Sequence, residues 1–183
     1  MRANGWKRLA ITAPTDDCGA SMVTLNLAFS LARQLERRTI VAEVDLRRPS
    51  LAKTLRIKDR HQFSQVLAGE ANLPAHASRP RPNLALATNH SNVRNPSELL
   101  QSTSIGPALA EIEQHFDPDL MIFDMPSMLK SDDTIAFMSH VDCVLLVAGA
   151  GASTLRQIDI CEQELAAQSN VLGVVLNKCR YME

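Results

Sequence analysis

Gly19 and Ser21 stand at the head of a helical pattern with the spacing of a phosphate-binding loop, but the residue between them is Ala20. In such a loop consecutive backbone N–H groups and a helix N-terminus face phosphate oxygens, a lysine reaches the outer phosphates, and a Ser/Thr hydroxyl holds magnesium. The stretch ITAPTDDCGASMVTLNL, from Ile11 to Leu27, offers the strand, the loop, the helix start and the hydroxyl, without the cation. Asp17 falls where a flexible glycine is usual, and aspartate tolerates a left-handed backbone, so the loop is expected to keep its shape. Asp17, Cys18, Gly19, Ala20, Ser21 and Met22 are therefore the expected phosphate cradle. Asp16 and Asp17 also place two carboxylates beside it. A lost charge-assisted hydrogen bond, worth roughly 1.5–3 kcal/mol, lowers triphosphate affinity by at least an order of magnitude. A tight strand-to-helix turn without a ligand is the competing reading of the same spacing.

Three further segments carry polar groups at the ends of apolar runs. VAEVDLRRPSL puts Glu43 and Asp45 on one side of a strand, with Arg47 and Arg48 just beyond. Asp45 could hold a magnesium-bound water or act as a base, with Glu43 in support. Arg47 or Arg48 could restore some of the charge that Ala20 lacks. DLMIFDMPSML ends its apolar run at Asp124, where a carboxylate can orient the hydration shell of a magnesium ion on Ser21. LGVVLNKC offers Asn177 to a nucleobase edge. A solvated charged turn ended by Pro49 and a strand-terminating asparagine are the plainer readings of the first and last segments.

Positioning these groups requires a folded α/β frame, and the composition supports one. The chain has 183 residues, 45% of them hydrophobic, enough for one domain over 1–183 with a sizeable core. With 19 basic and 20 acidic residues, net charge −1, nothing global draws it to nucleic acid or anionic lipid. The N-terminal apolar run is too short for a secretory signal, and no stretch approaches a membrane span, so a cytoplasmic location is expected. Cys18, Cys143, Cys161 and Cys179 have no zinc-like spacing and read as free thiols. Cys143 and Cys179 are expected in the core, and Cys18 in the loop.

Short apolar runs alternate with helical patterns, the signature of a doubly wound, mainly parallel sheet flanked by helices. Strands are expected at Arg8–Ala13, Thr39–Asp45, Leu84–Thr88, Asp119–Asp124, Asp142–Ala148 and Val171–Asn177. The expected helices are Ala20–Glu36, Ser97–Phe116 with a break near Gly106-Pro107, Asp132–Ser139 and Thr154–Gln168. Leu73–Asn95, rich in Pro, Asn, His and Ser, reads as a mobile loop around one weak strand. The cluster Arg33, Arg37 and Arg38 reads as the solvated C-terminal turn of the first helix. In such sheets ligands bind beyond the carboxyl ends of the strands, where the loop, Glu43, Asp45, Arg47, Arg48, Asp124 and Asn177 fall.

Over nearly its whole length the chain resembles the bacterial tyrosine kinases of polysaccharide export, within the deviant-Walker P-loop group that includes ParA and MinD. The likeness rests on ITAPTDDCGASMVTLNLAFSLA, VAEVDLRRPSL, FSQVLAGEANL, NLALATN with NPSELL, DLMIFDMPSML and VLGVVLNK. The pairing of VDLRRPSL with NPSELL sets it apart from ParA and MinD. The resemblance implies that Gly19 and Ser21 are the Walker A glycine and magnesium-binding serine. It makes Glu43 and Asp45 the acidic pair of Walker A′ and Asp124 the Walker B aspartate. Ser21, Asp45 and Asp124 would then surround Mg2+, Asn177 would lie near adenine, and ATP or ADP would be the cofactor. It also implies autophosphorylation of a C-terminal tyrosine cluster between neighbouring subunits, which controls assembly with a membrane polysaccharide copolymerase. Three departures accompany the likeness: Ala20 for the lysine, Glu43 for an aspartate, and a single tyrosine, Tyr181, in place of a cluster. The function they imply is a regulatory domain with weak or no phosphoryl transfer, partnered by a copolymerase or an active kinase at the inner membrane. The alternative is an active autokinase or ParA/MinD-type ATPase that uses Arg47, Arg48 or Lys130 as the cation.

Overall fold

The computed structural model describes residues 1–179, so Tyr181 lies outside the described residues. Seven strands form one sheet: β1 (Arg8–Thr12), β2 (Thr39–Glu43), β3 (Ala77–Arg81), β4 (Leu84–Ala87), β5 (Leu120–Asp124), β6 (Cys143–Gly149) and β7 (Asn170–Asn177). Their order is β3-β4-β2-β5-β1-β6-β7, parallel throughout except for the antiparallel β3–β4 pair. The helices are α1 (Ala20–Leu31), α2 (Leu51–Thr54), α3 (Phe63–Leu67), α4 (Pro96–Leu100), α5 (Ile105–Phe116), α6 (Asp133–Phe137) and α7 (Leu155–Ala166).

The sheet is covered on both faces, which is why its central strands read as unbroken apolar runs. On one face Leu25, Ala28 and Ala32 pack against Leu9, Ile11, Val41, Ile122 and Val147. On the other, Phe63, Leu100, Leu109, Phe137 and Leu165 pack against Ala10, Ala42, Phe123 and Leu146. The rings of Phe123 and Phe137 meet edge to face with centroids 5.0 Å apart. No helix among the described residues is long and apolar enough to cross a membrane.

Several boundaries differ from the sequence reading. Helix α1 stops at Leu31, not Glu36, because the Asn83 amide donates to the carbonyls of Ala32, Gln34 and Arg37 and turns the chain there. Arg33, Arg37 and Arg38 consequently lie beyond the helix, and Arg38 pairs with Asp117. The expected break at Gly106-Pro107 falls earlier, between α4 and α5; both residues sit in the first turn of α5, where proline removes an N–H that has no helical partner. Within the expected loop Leu73–Asn95 lies a complete hairpin, β3–β4. Pro80 concealed β3, but an edge strand tolerates proline where no neighbour needs its N–H. Strand β2 leaves the sheet after Glu43, as the amides of Val44 and Asp45 both turn to the carbonyl of Asp124. Cys143 and Cys161 are buried, but Cys179 is exposed rather than in the core, because it follows the exposed edge strand β7.

Candidate phosphate-binding site

The carboxyl ends of β1, β2 and β5 meet at one open cavity of roughly 310 Å³. Ala13, Asp16, Asp17, Cys18, Gly19, Ala20, Ser21, Asp45, Arg48, Ser50 and Ser127 are among the residues that line it. The loop between β1 and α1 turns through two left-handed residues, Asp17 at φ 61° and Gly19 at φ 89°. Glycine is required at 19 for a second reason, since a Cβ there would lie 2.4 Å from Nδ2 of Asn177. That amide donates to the carbonyl of Cys18 at 2.9 Å. Asn177, expected at a nucleobase, thus buttresses the loop across the sheet with one of its two N–H groups.

Gly19 caps α1 without any side-chain hydrogen bond, and the first amide to bond back is that of Val23, to the Gly19 carbonyl. Among the described residues no acceptor takes the amides of Ala20, Ser21 or Met22. The helix N-terminus therefore presents three free N–H groups and the positive end of its dipole at the cavity. Cys18 sits in the loop and is buried, its thiol 3.2 Å from the Ser153 hydroxyl and 3.5 Å from that of Thr15. Burial favours its protonated form, yet the hydrogen bonds of Ser153 and Thr15 outweigh burial and hold the thiol below its ordinary value.

Asp124 is wholly buried beneath the loop. Its Oδ1 accepts from the Thr24 hydroxyl at 3.1 Å, whereas Oδ2 has no partner. Burial pushes the carboxyl up to about 7; the hydroxyls of Ser21 and Thr24 pull it down, and the charges of Glu43 and Asp45 raise it further. Burial likewise raises Asp45, whose Oδ1 accepts from the Arg48 amide at 3.0 Å. An orphaned carboxylate oxygen beside the Ser21 hydroxyl suits a cation. No cluster of three His, Cys, Asp or Glu able to hold a metal occurs among the described residues. That combination fits Mg2+, which binds through one or two carboxylates and completes its shell with water and phosphate oxygens.

Glu43 stands beside Asp124 in the β2–β5 register, with its carboxylate engaged by backbone. Its buried carboxylate accepts from the amides of Ser50 at 2.6 Å, Leu51 at 2.7 Å and Asn89 at 2.7 Å. Saturated by backbone, it fastens the start of α2 and the end of β4 to β2 and has little capacity left for a metal. Burial raises its pKa, and the three amides oppose that rise.

Of the candidate cations, Arg47 does not line the cavity. Its guanidinium is held by the buried Asp133, at 2.5 and 3.0 Å, and by the Ser97 hydroxyl at 2.8 Å. Arg47 of VDLRRPSL thus bonds Ser97 of NPSELL and ties the two segments together. Arg48 does line the cavity, with both terminal nitrogens on Asp16. Lys130 lies 3.8 Å from the same carboxylate. Arg48 first and Ser127 second hold Asp16 down at about 2. Sequence reasoning missed Ser127, whose hydroxyl reaches Asp16 at 2.6 Å, and Lys178, whose Cε lies 4.0 Å from where a Cβ on Gly19 would stand. Both lie inside quoted segments, DLMIFDMPSML and VLGVVLNK, but just past the residue singled out in each; their residue types beside Asp124 and Asn177 were the signal that could have flagged them.

No protein-family model matches the chain. Tyrosine-protein kinase Etk of Escherichia coli K12 is 30% identical over 171 residues, 92% of this chain and 23% of Etk. The solved kinase domain of E. coli Etk superposes with a TM-score of 0.85 at 28% identity, covering 97% of this chain and 71% of that one. Homologues of the chain are bacterial tyrosine kinases, and its structure matches their kinase domains. A further relative of the kinases, the succinoglycan biosynthesis transport protein ExoP of Rhizobium meliloti, is 31% identical over 175 residues, 93% of this chain and 22% of ExoP. The chain thus spans less than a quarter of the length of these curated relatives. MinD of Pyrococcus horikoshii, solved with Mg-ADP, shares the fold alone, with a TM-score of 0.74 at 19% identity over 93% of this chain and 69% of that one.

Proposed function

We propose that the chain is a kinase-like phosphate-binding domain of an exopolysaccharide or capsule export system, regulatory in role, with phosphoryl transfer weak or lost. The observation that carries this reading is the cavity itself. Unpaired amides at the start of α1 and Ser21 border one space, with the orphaned Asp124 oxygen buried beneath it, and position 20, where the motif has lysine, carries only a methyl group. The cradle binds an anion through dipoles alone. Phosphoryl transfer depends on neutralising charge at the transferring group, and one cationic contact of that kind is worth roughly 10³–10⁵ in rate.

In this reading the amides of Ala20, Ser21 and Met22 hold the terminal phosphates of ATP or ADP, and the Asn177 buttress keeps the loop open. Ser21, Asp124 and Asp45 are the groups that would hold Mg2+, which when bound neutralises phosphate charge. Asp45, raised by burial, is placed to take a proton at the mouth of the site. The kinship with Etk and ExoP supports a place in polysaccharide export beside a membrane copolymerase or an active kinase.

Incubation of the pure protein with labelled ATP and Mg2+ tests the reading, with little or no transfer expected. Robust transfer that disappears in Asp45→Asn would overturn it in favour of an active autokinase. One observation supports that second reading: Arg48 already lines the cavity. Failure to recover any polysaccharide-export membrane protein with the domain from its native cell would remove the regulatory role.

A further inference from the structure

Asp16 differs from the other loop carboxylate in what it holds. Arg48 reaches it through Nη1 at 2.8 Å and Nη2 at 2.5 Å, Ser127 donates to it at 2.6 Å, and Lys130 lies at 3.8 Å. Asp16 and Arg48 line the same cavity as Gly19, Ala20 and Ser21. The backbone of Arg48 is fixed there by the bond from its amide to Asp45. A guanidinium fork matches a phosphate as well as it matches a carboxylate. The cation best placed to replace the missing ammonium is therefore present on the cavity wall, already bound to an internal anion.

We propose that Asp16 is the residue that sets anion affinity at this site: it occupies Arg48, and a phosphate ligand recruits that guanidinium only by displacing the Asp16 carboxylate. The inference deepens the phosphate-site reading and rests on it. The exchange is within reach energetically. The side chains of Arg48 and Asp16 are 60% and 26% exposed, and a pair so open to water contributes a factor of about five or less. Asp17 removes the same charge when neutralised but carries none of these contacts. Comparison of the two separates the displacement of Arg48 from a general easing of negative potential.

Calorimetric titration with Mg2+ and ADP tests this on wild type, Asp16→Asn, Asp17→Asn, Arg48→Ala, the Asp16→Asn/Arg48→Ala pair and Ala20→Lys. Asparagine at 16 still accepts from Ser127, so the loop keeps that support. Asp16→Asn should bind about fivefold tighter than wild type, Asp17→Asn should gain clearly less, and Arg48→Ala in the Asp16→Asn background should abolish the gain. Equal gains in Asp16→Asn and Asp17→Asn, or a gain that survives Arg48→Ala, would overturn the role of Asp16. So would binding by Ala20→Lys with no improvement in Asp16→Asn. Absence of binding in every variant, Ala20→Lys included, overturns the phosphate-site reading and this inference with it. Thermal unfolding of each variant checks that the substitutions leave the fold intact.

Discussion

The buried Asp124 makes the protein less stable as pH rises toward neutrality. In the unfolded chain its carboxyl loses a proton near the ordinary 3.8; in the folded protein it holds that proton up to about 7. Between those values the native state carries the extra proton, so the free energy of unfolding falls by about 1.4 kcal/mol per pH unit, about 4 kcal/mol over the interval. The contribution is complete below 3.8 and gone above 7. Asp124→Asn keeps the shape and abolishes the titration. Its amide would place an N–H₂ where Oδ2 now has no partner, a pH-independent cost of about 1–3 kcal/mol. Burial also raises Glu43 and Asp45, so a slope of the same sign remains in the variant. Asp16, Asp117 and Asp133 are held low, and they titrate below pH 5, outside the window. Urea denaturation of both proteins at pH 5, 6, 7 and 8 provides the assay. The stability difference should move in favour of the variant by about 2 kcal/mol from pH 5 to 7, because the carboxyl is already half ionised at the upper end. A difference constant to within about 0.5 kcal/mol would refute the raised carboxyl and the dry pocket that causes it.

Ala20→Lys should tighten ATP binding in the presence of Mg2+ by about tenfold or more, read by calorimetry, since the amides and Ser21 already stand in place; an unchanged dissociation constant means the amides do not face the ligand. Glu43→Ala leaves the amides of Ser50, Leu51 and Asn89 without their acceptor and should cost about 3 kcal/mol or more in urea, while Glu43→Gln keeps part of the clamp and costs less. A Glu43→Ala protein as stable as wild type would show that the clamp carries nothing. Gly19→Ala meets both the 89° φ and the Asn177 amide and should lose about 1–3 kcal/mol. Adding Asn177→Ala should relieve the clash but leave the backbone strain, so strictly additive losses would contradict the close approach.

Much of the frame was legible along the chain. The unbroken apolar runs of β2, β5 and β6 announced strands buried on both faces, and the structure buries them so. Gly19, Ser21 and Asp45 line one cavity with Asp124 buried beneath it, because a strand, a tight turn and a helix start leave few ways to place them. The differences lie where a distant group intervenes. Asn83 cuts α1 short, a neighbouring strand makes β3 out of a proline-bearing loop, and the exposed edge β7 leaves Cys179 in solvent. Sequence also could not rank two adjacent arginines: one residue of offset sends Arg47 to Asp133 and Arg48 to the cavity.

Residue order by itself determined the layered α/β class, the loop that needs glycine and the absence of an ammonium at position 20, since periodicity and local backbone demands are properties of neighbouring residues. Only the tertiary structure decided what each charge does. Glu43 became a backbone clamp, Asp16 a holder of Arg48, Asp124 a dry acid and Asn177 a buttress 159 residues from the carbonyl it supports. Partnership and burial set the energy of a charged or amide group, and both arise when remote segments close upon one another.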